Sequence, residues 1–207
     1  MIIKPIIKRL LQYRLCLLKL KKTGFEHVFS QYIADELGIS AEQVRKDFSE
    51  HKIKGKKKLG YHIEETLNEI NLLLGKDTIR NVIVIGMGNI GRAIIKNNCN
   101  YRKNQLNICA GFDINPRKQK EFSGINIYKL EKLTEIIKKY DVKTAILAVP
   151  QISSQLVCNR IVLEGIIGIM NFTPVVLNVP KNVIINNVNL CNELESLVFS
   201  AKRNINT

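Results

Sequence analysis

The residues best placed to hold a small molecule are Gly86, Met87, Gly88, Asn89, Ile90 and Gly91, which follow the apolar run Val82, Ile83, Val84, Ile85 and lead into a helical pattern. Strand, glycine turn and helix in that order form a pyrophosphate cradle. Gly86 permits the tight turn, Gly88 lets an anion approach the backbone, and Gly91 lets the helix pack against the strand while its first amides face the anion. A second apolar run, 108–112, ends in Asp113, about 20 residues beyond the last glycine, where a carboxylate accepts the hydroxyls of an adenosine ribose. Asp113 would repel a 2′-phosphate and so favours NAD(H) over NADP(H), a preference that Arg117 and Lys118 soften. Ligands of doubly wound sheets bind at the carboxyl ends of strands, which nominates Ala148, Val149 and Pro150, with Asn171 and Phe172, as the rim of a nicotinamide pocket. The plainer alternative makes the glycines a structural turn and lets Pro150 and Pro174 do no more than end strands.

Hydride transfer needs an acid or base beside the nicotinamide, and the nominated strand ends carry none. Tyr128 and Lys132 match a Y-x-x-x-K spacing, but they fall at an early strand-to-helix junction and the match is read as chance. No catalytic residue is assigned. His27, His51 and His62 lie apart from one another and from the cysteines, so no metal site is expected. Cys16, Cys99, Cys109, Cys158 and Cys191 form no C-x-x-C pair and no secretory leader precedes them, which suggests reduced, mostly packed thiols in a cytoplasmic protein. Lys19, Lys21 and Lys22 cut the apolar stretch 15–20 far short of a membrane span.

A second set of residues suits nucleic acid. Ser30 is expected to cap a short helix ending at Gly38, and Ser40 to open another, with Gln43 at the capping-box position and Val44 and Phe48 turned inward. Helix, glycine turn and helix in so few residues make a helix-turn-helix, whose second helix exposes Gln43, Arg45 and Lys46, types that read base edges and grip phosphates. Residues 52–63 then form two short extended pieces around a tip of Lys56, Lys57 and Lys58, followed by Tyr61, the layout of a wing that contacts phosphates or a narrow minor groove. The 207 residues carry 32 basic against 18 acidic side chains, a net +14 that favours a polyanionic partner. The excess is +6 in 1–76 and +8 in the remainder, so clustering and not the total carries the argument.

Around these groups the chain supplies an amphipathic helix over 4–20, with Ile7, Leu10, Leu11, Leu15 and Leu18 at helical spacing, and a helix over 64–74 closed by Gly75. Beyond Asp113 come an extended stretch 125–130, a helix 131–140, a strand 144–149, a helix 153–164, an apolar run 166–172, a strand 183–188 and a last helix 192–202. The fold class is α/β: an N-terminal winged helix-turn-helix domain (1–76), a Rossmann-type doubly wound parallel sheet (77–190) and a C-terminal helix (191–207).

Several motifs in this order resemble one family. Gln43, Val44, Arg45, Lys46 and Asp47 in the second helix, Gly60 and Tyr61 after the wing, and the glycine turn 86–91 are among them. So are Phe112, Asp113, Ile114, Asn115, Pro116, then Val149, Pro150, and Gly168, Ile169, Met170, Asn171, Phe172, Thr173, Pro174. Together they are similar to the Rex family of redox-sensing transcriptional repressors. The resemblance implies a homodimer that binds double-stranded DNA at an AT-rich inverted repeat, responds to the NADH/NAD ratio and leaves the operator when NADH closes the two Rossmann domains together. It also implies that the last helix, 191–202, is exchanged between subunits.

Three positions depart from the family. An arginine of the first helix, a tyrosine after the nucleotide-binding helix and an aspartate before the last helix form its coupling network, and here they fall on Leu15, Asn97 and Asn189. Arg14 and Tyr101 lie nearby, and Lys57 and Lys58 replace an Arg-Gly pair of the wing. The expected function is a repressor that senses NADH/NAD balance. The alternative is a small NAD-dependent oxidoreductase with a basic surface.

Overall fold

The computed structural model describes residues 5–205, with Pro116 and 203–205 by their backbone alone. Lys4, the expected start of the first helix, and the last two residues lie outside it. The chain divides into two compact units, with the boundary between Thr78 and Ile79.

The first unit opens with α1 (Pro5–Lys22). Its buried face is Leu10, Tyr13, Cys16, Leu17 and Leu20. The expected stripe is displaced: Ile7, Leu11 and Leu15 are exposed, Leu15 to 63%. Helical spacing allows either stripe, and packing selects the one that carries the Tyr13 ring. After β1 (His27–Val28) come α2 (Ser30–Leu37) and α3 (Ala41–Glu50). Gly38, at φ 65°, closes α2 in the left-handed conformation that favours glycine. Phe29, not Ser30, occupies the N-cap of α2, because Ser30 has already entered the helix. Ser40 does cap α3, its hydroxyl accepting from the Gln43 amide at 3.1 Å.

A short wing links α3 to β2 (Tyr61–His62) and α4 (Ile63–Leu73). Its base is the antiparallel bridge of Lys56 and Gly60, and β2 pairs antiparallel with β1. Gly60 is required here, since a Cβ would stand 2.4 Å from the Val28 carbonyl oxygen. The helices close over Leu10, Tyr13, Leu17, Ile33, Val44, Phe48, Ile63 and Ile70. Phe48 lies edge-on to Tyr13 at 5.2 Å and to Tyr61 at 4.8 Å.

The second unit runs β3 (Arg80–Ile85), α5 (Asn89–Lys96), α6 (Asn98–Arg102), β4 (Leu106–Phe112), β5 (Glu121–Phe122), β6 (Ile125–Tyr128) and α7 (Leu133–Lys139). It continues with β7 (Thr144–Leu147), α8 (Gln151–Leu163), β8 (Gly168–Asn171), β9 (Ile184–Asn187) and α9 (Leu190–Ile205). The strand order is β5-β6-β4-β3-β7-β8-β9, with every neighbour parallel except β5. The expected parallel sheet therefore gains an antiparallel edge, a two-residue strand too short to leave a periodicity. Without that edge the order is the doubly wound one that reverses between β3 and β7.

Alternation along β3 sends Ile83 and Ile85 into one core with Leu133, Ile136, Val157 and Ile161. Val82 and Val84 enter the opposite core with Met87, Ile95, Ile108 and Ile127. Both faces are covered, as continuous apolar strands require. The helix expected over 131–140 starts as a 3-10 turn at Leu130–Lys132, and α8 starts at Gln151 with Pro150 as its N-cap. Burial pushes the Cys109 thiol up to about 11 and also raises Cys16 and Cys158. Among the described residues no cluster could hold a metal ion, and no helix is long and apolar enough to cross a membrane.

Candidate functional site

At the carboxyl end of the sheet β3 turns through Gly86 into α5. Gly86, at φ 98°, has the Ala148 carbonyl oxygen 2.3 Å from where a Cβ would stand, and a Cβ on Gly91 would be 2.0 Å from the Gly86 carbonyl oxygen. Those two glycines are demanded by the chain itself. Gly88 is different: its backbone is ordinary, at φ −76°, and a Cβ there would meet nothing within 4 Å. The first amides of α5, from Asn89 and Ile90 onward, have no preceding turn of carbonyls to bond and carry the positive end of the helix dipole. An open glycine beside such amides is a cradle that a phosphate group fits.

A cleft of about 450 Å³ lies against this turn, lined by Gly86, Gly88, Asp113, Lys118, Val149 and Pro150 among others. Asp113 sits at the end of β4, one strand away from the reversal of order between β3 and β7. Its Oδ2 accepts from the Met87 amide at 2.8 Å and its Oδ1 from the Asn115 amide at 2.8 Å. Lys118 Nζ stands 3.6 Å from Oδ2. Met87 points away from the cleft into the core, and Asn89, Ile90 and Gly91 begin α5 outside its lining.

Asn171 and Phe172, expected at the same rim, do not line this cleft. Asn171 is 0% exposed and is spent on shaping the following loop. Its Oδ1 accepts from the Thr173 amide and hydroxyl at 3.0 and 2.7 Å, and its Nδ2 donates to the Val175 carbonyl and to Asn187 at 2.9 and 2.8 Å. Phe172 packs on the core that holds Val82 and Met87. Tyr128 leans on Phe112 at 6.1 Å while Lys132 pairs with Glu135 on the surface, so the Y-x-x-x-K spacing brings nothing together.

In the first unit α3 presents Arg45 and Lys46 to solvent, and Lys56, Lys57 and Lys58 are exposed on the wing. Arg45 donates to the Ser30 hydroxyl at 3.2 Å. Gln43 is half-buried, and its amide donates to Asp47 Oδ1 at 2.8 Å, so it neither completes the capping box nor stands free. Tyr61 is half-buried against Phe48, and burial raises its hydroxyl above the ordinary tyrosine range.

The organising group is one that residue types did not single out. Asp47 is 1% exposed on the inner face of α3 and accepts from Arg9 at 2.6 and 2.8 Å, from the Tyr13 hydroxyl at 2.6 Å and from Gln43. Burial would raise this carboxyl, but the bonds from Arg9, Tyr13 and Gln43 outweigh it and hold the group below the usual carboxylate range. Burial and the bond to Asp47 in turn raise Tyr13. The signal available in the sequence was an acid flanked by the inward Val44 and Phe48.

Two of the positions that depart from the family, Asn97 and Asn189, are engaged locally. Asn97 ends α5 and accepts from Asn100 at 2.5 Å, while Asn189 caps α9 by accepting from the Cys191 and Asn192 amides at 3.0 and 3.2 Å. Arg14 donates to Asn71 at 2.7 Å.

A helix-turn-helix module and a Rossmann-type sheet in one chain are the parts of a ligand-responsive transcription regulator. Residues 77–175 match the family pattern described as "CoA binding domain", and residues 2–49 the one described as "Putative DNA-binding protein N-terminus". The redox-sensing transcriptional repressor Rex of Lactobacillus gasseri is 36% identical over 198 residues, 95% of this chain and 92% of that protein. Its counterpart in Bacillus licheniformis is 38% identical over 196 residues, 94% and 91% of the two chains. The crystal structure of the repressor RSP in complex with β-NAD+ and operator DNA matches with a TM-score of 0.89 at 32% identity, covering 96% of this chain and 92% of that one. RSP in complex with β-NADH matches at 0.84 and 32%, covering 96% and 93%. The chain belongs to the Rex family of redox-sensing transcriptional repressors. That is a family of transcription regulators and not of enzymes.

Proposed function

We propose that this protein is a repressor that binds operator DNA through its first unit, binds NAD(H) through its second, and is released from DNA by NADH. The single observation that carries the cofactor half is Gly88. Its neighbours Gly86 and Gly91 are glycine for internal reasons, whereas Gly88 has open space around it and no strain, so the reason for its missing side chain lies outside the chain. In this reading the turn 86–91 takes the pyrophosphate, Asp113 the adenosine ribose, and Val149 and Pro150 the nicotinamide side of the cleft. The dinucleotide supplies a signal here, its redox state, and no reaction on a substrate.

For DNA, Arg45 and Lys46 on α3 and Lys56, Lys57 and Lys58 on the wing are the contacts. Ser40 and Tyr61 hold the two elements in place, and Gln43 is set by Asp47. The order of α2, α3 and the bridged wing is that of a winged helix. A homodimer on an AT-rich inverted repeat fits this reading, because one such helix offers few base contacts and two half-sites multiply specificity. Exchange of α9 between subunits is supported by its composition: Leu190, Leu194, Leu197 and Val198 share one face and are all exposed within a single chain. With Leu15, Asn97 and Asn189 at the coupling positions, the open and closed dimers lose a charge pair that would tell them apart, and the response to the NADH/NAD ratio is blunted.

The test is DNA affinity on an inverted repeat, measured with NADH, with NAD and with neither. Weakening by NADH is expected, with NAD close to the free protein. Binding that NADH leaves untouched would refute the reading.

A further inference from the structure

His27 and His62 are paired across the two short strands at the base of the wing. They stand opposite one another in the register of β1 and β2, with their rings edge-on at 5.1 Å, and both are half-buried. His62 is also the N-cap of α4: its Nδ1 accepts from the Glu65 amide at 3.3 Å, so this nitrogen carries no hydrogen and the ring is neutral. The opposite arrangement holds at His51, the C-cap of α3, whose Nδ1 faces the Asp47 carbonyl oxygen at 2.9 Å and must donate to it. A proton added to His51 keeps that bond and suits the negative end of a helix. A proton added to His62 removes the cap and sets a charge at the positive end.

The charged groups around the pair do not reverse that sign. Glu64 of α4 takes up the Lys21 ammonium of α1 at 2.9 Å, and Glu26, just before β1, is exposed. Glu65 Oε1 stands 3.7 Å from His62 Nδ1, but its side chain is 65% exposed and its pull is screened. A second proton, on His27, would place like charges opposite each other in the ladder. What the pair holds is the return arm of the wing. Tyr61, next to His62, pairs with Val28 and lies edge-on to Phe48 of α3, and the Ile63 amide donates to the Glu26 carbonyl at 2.8 Å.

We infer that His27 and His62 form a proton-sensitive latch at the base of the wing: neutral, it holds β1 against β2 and caps α4, and charged, it releases both, so that operator recognition weakens on acidification. The link to DNA rests on the wing reading given above. The latch's contribution is present above the range in which imidazoles take up a proton and is lost as pH falls through it.

The test follows the full chain from about pH 7.5 to about pH 5.5 at one ionic strength, with two readouts. Amide protection of β1, β2 and the first turn of α4, corrected for the intrinsic pH dependence of exchange, should fall by about tenfold in the wild type. The ratio of affinities for an AT-rich inverted repeat and for random DNA of the same length should fall by about the same factor. His62→Asn, which keeps a capping side chain that takes no proton, should flatten both responses, and His27→Gln should lessen them. His51→Asn should leave both as in the wild type. Protection that does not change with pH, an undiminished fall in His62→Asn or His27→Gln, or protection that falls while discrimination holds would overturn the inference and leave DNA binding standing. A wild type that does not tell the inverted repeat from random DNA even at about pH 7.5 would overturn the wing reading and, with it, the latch as a control of operator binding.

Discussion

Asp47→Ala removes the acceptor on which four hydrogen bonds converge, and its cost can be worked from those bonds. The Tyr13 hydroxyl, fully buried, is left without its acceptor, a loss of about 1 to 3 kcal/mol. Breaking a buried ion pair from one side costs about 3 to 5 kcal/mol, but the Arg9 side chain is 27% exposed and can recover water, which puts its share below that range. The two losses share one carboxylate and do not add, so the variant should destabilise the first unit by about 3 kcal/mol. The pH dependence has a definite sign. Asp47 is held below its ordinary value, so its contribution is present above about pH 4 and is lost as pH falls through the lower folded value. Tyr13 is raised, so its contribution is present below about pH 10 and is lost as pH rises through the folded value. Hydrogen exchange of peptides from α1 and α3, followed against pH in the full chain, reads both limbs. Protection that falls by less than about 1 kcal/mol, or an acid limb as steep in Asp47→Ala as in the wild type, would refute the reasoning.

Gly88→Val should abolish NADH binding while leaving far-UV circular dichroism and melting unchanged, whereas Gly91→Ala, with its Cβ 2.0 Å from a carbonyl oxygen, should lower the melting temperature. Replacing Lys56, Lys57 and Lys58 together by Ala should weaken DNA of every sequence and flatten log affinity against log salt by about one unit for each phosphate no longer neutralised; an unchanged slope would contradict the wing. Arg45→Ala should cost about 1 to 3 kcal/mol in operator affinity if it reads a base, visible as lost discrimination between operator and random DNA. Lys58 sits at φ 67°, so Lys58→Gly should raise stability by about 1 kcal/mol in chemical denaturation while lowering DNA affinity.

What the sequence made legible was whatever repeats or punctuates. The run 82–85, the glycines and Asp113 announce a strand, a turn and a strand-end carboxylate, because burial on both faces and close approach leave few residue choices. Ser40 and Gly38 announced their helix ends for the same reason. The two-residue β5 and the five-residue α6 carry no period, and only their neighbours fix them. Gln43 and Asn171 misled because an amide can face a ligand or its own chain with equal chemistry, and only Asp47 and Thr173 decide. The role of Asp47 was not legible, because its partners Arg9 and Tyr13 lie more than thirty residues away.

Strand order has a consequence during synthesis. β3 is the first strand of the sheet to be made and its central one, and it acquires β4 soon after, but its other neighbour, β7, is translated about 60 residues later. At the usual pace of a ribosome that interval is about 3 to 12 s, during which the backbone edge of Val82 to Ile85 lacks its second ladder and Ile83 and Ile85 lack the helix α8 that covers them. A nascent chain paused there carries an apolar strand open to any extended neighbour. The first unit, already made at its head, has its own closed core and leaves that exposed stretch as the open surface of the nascent chain until β7 arrives.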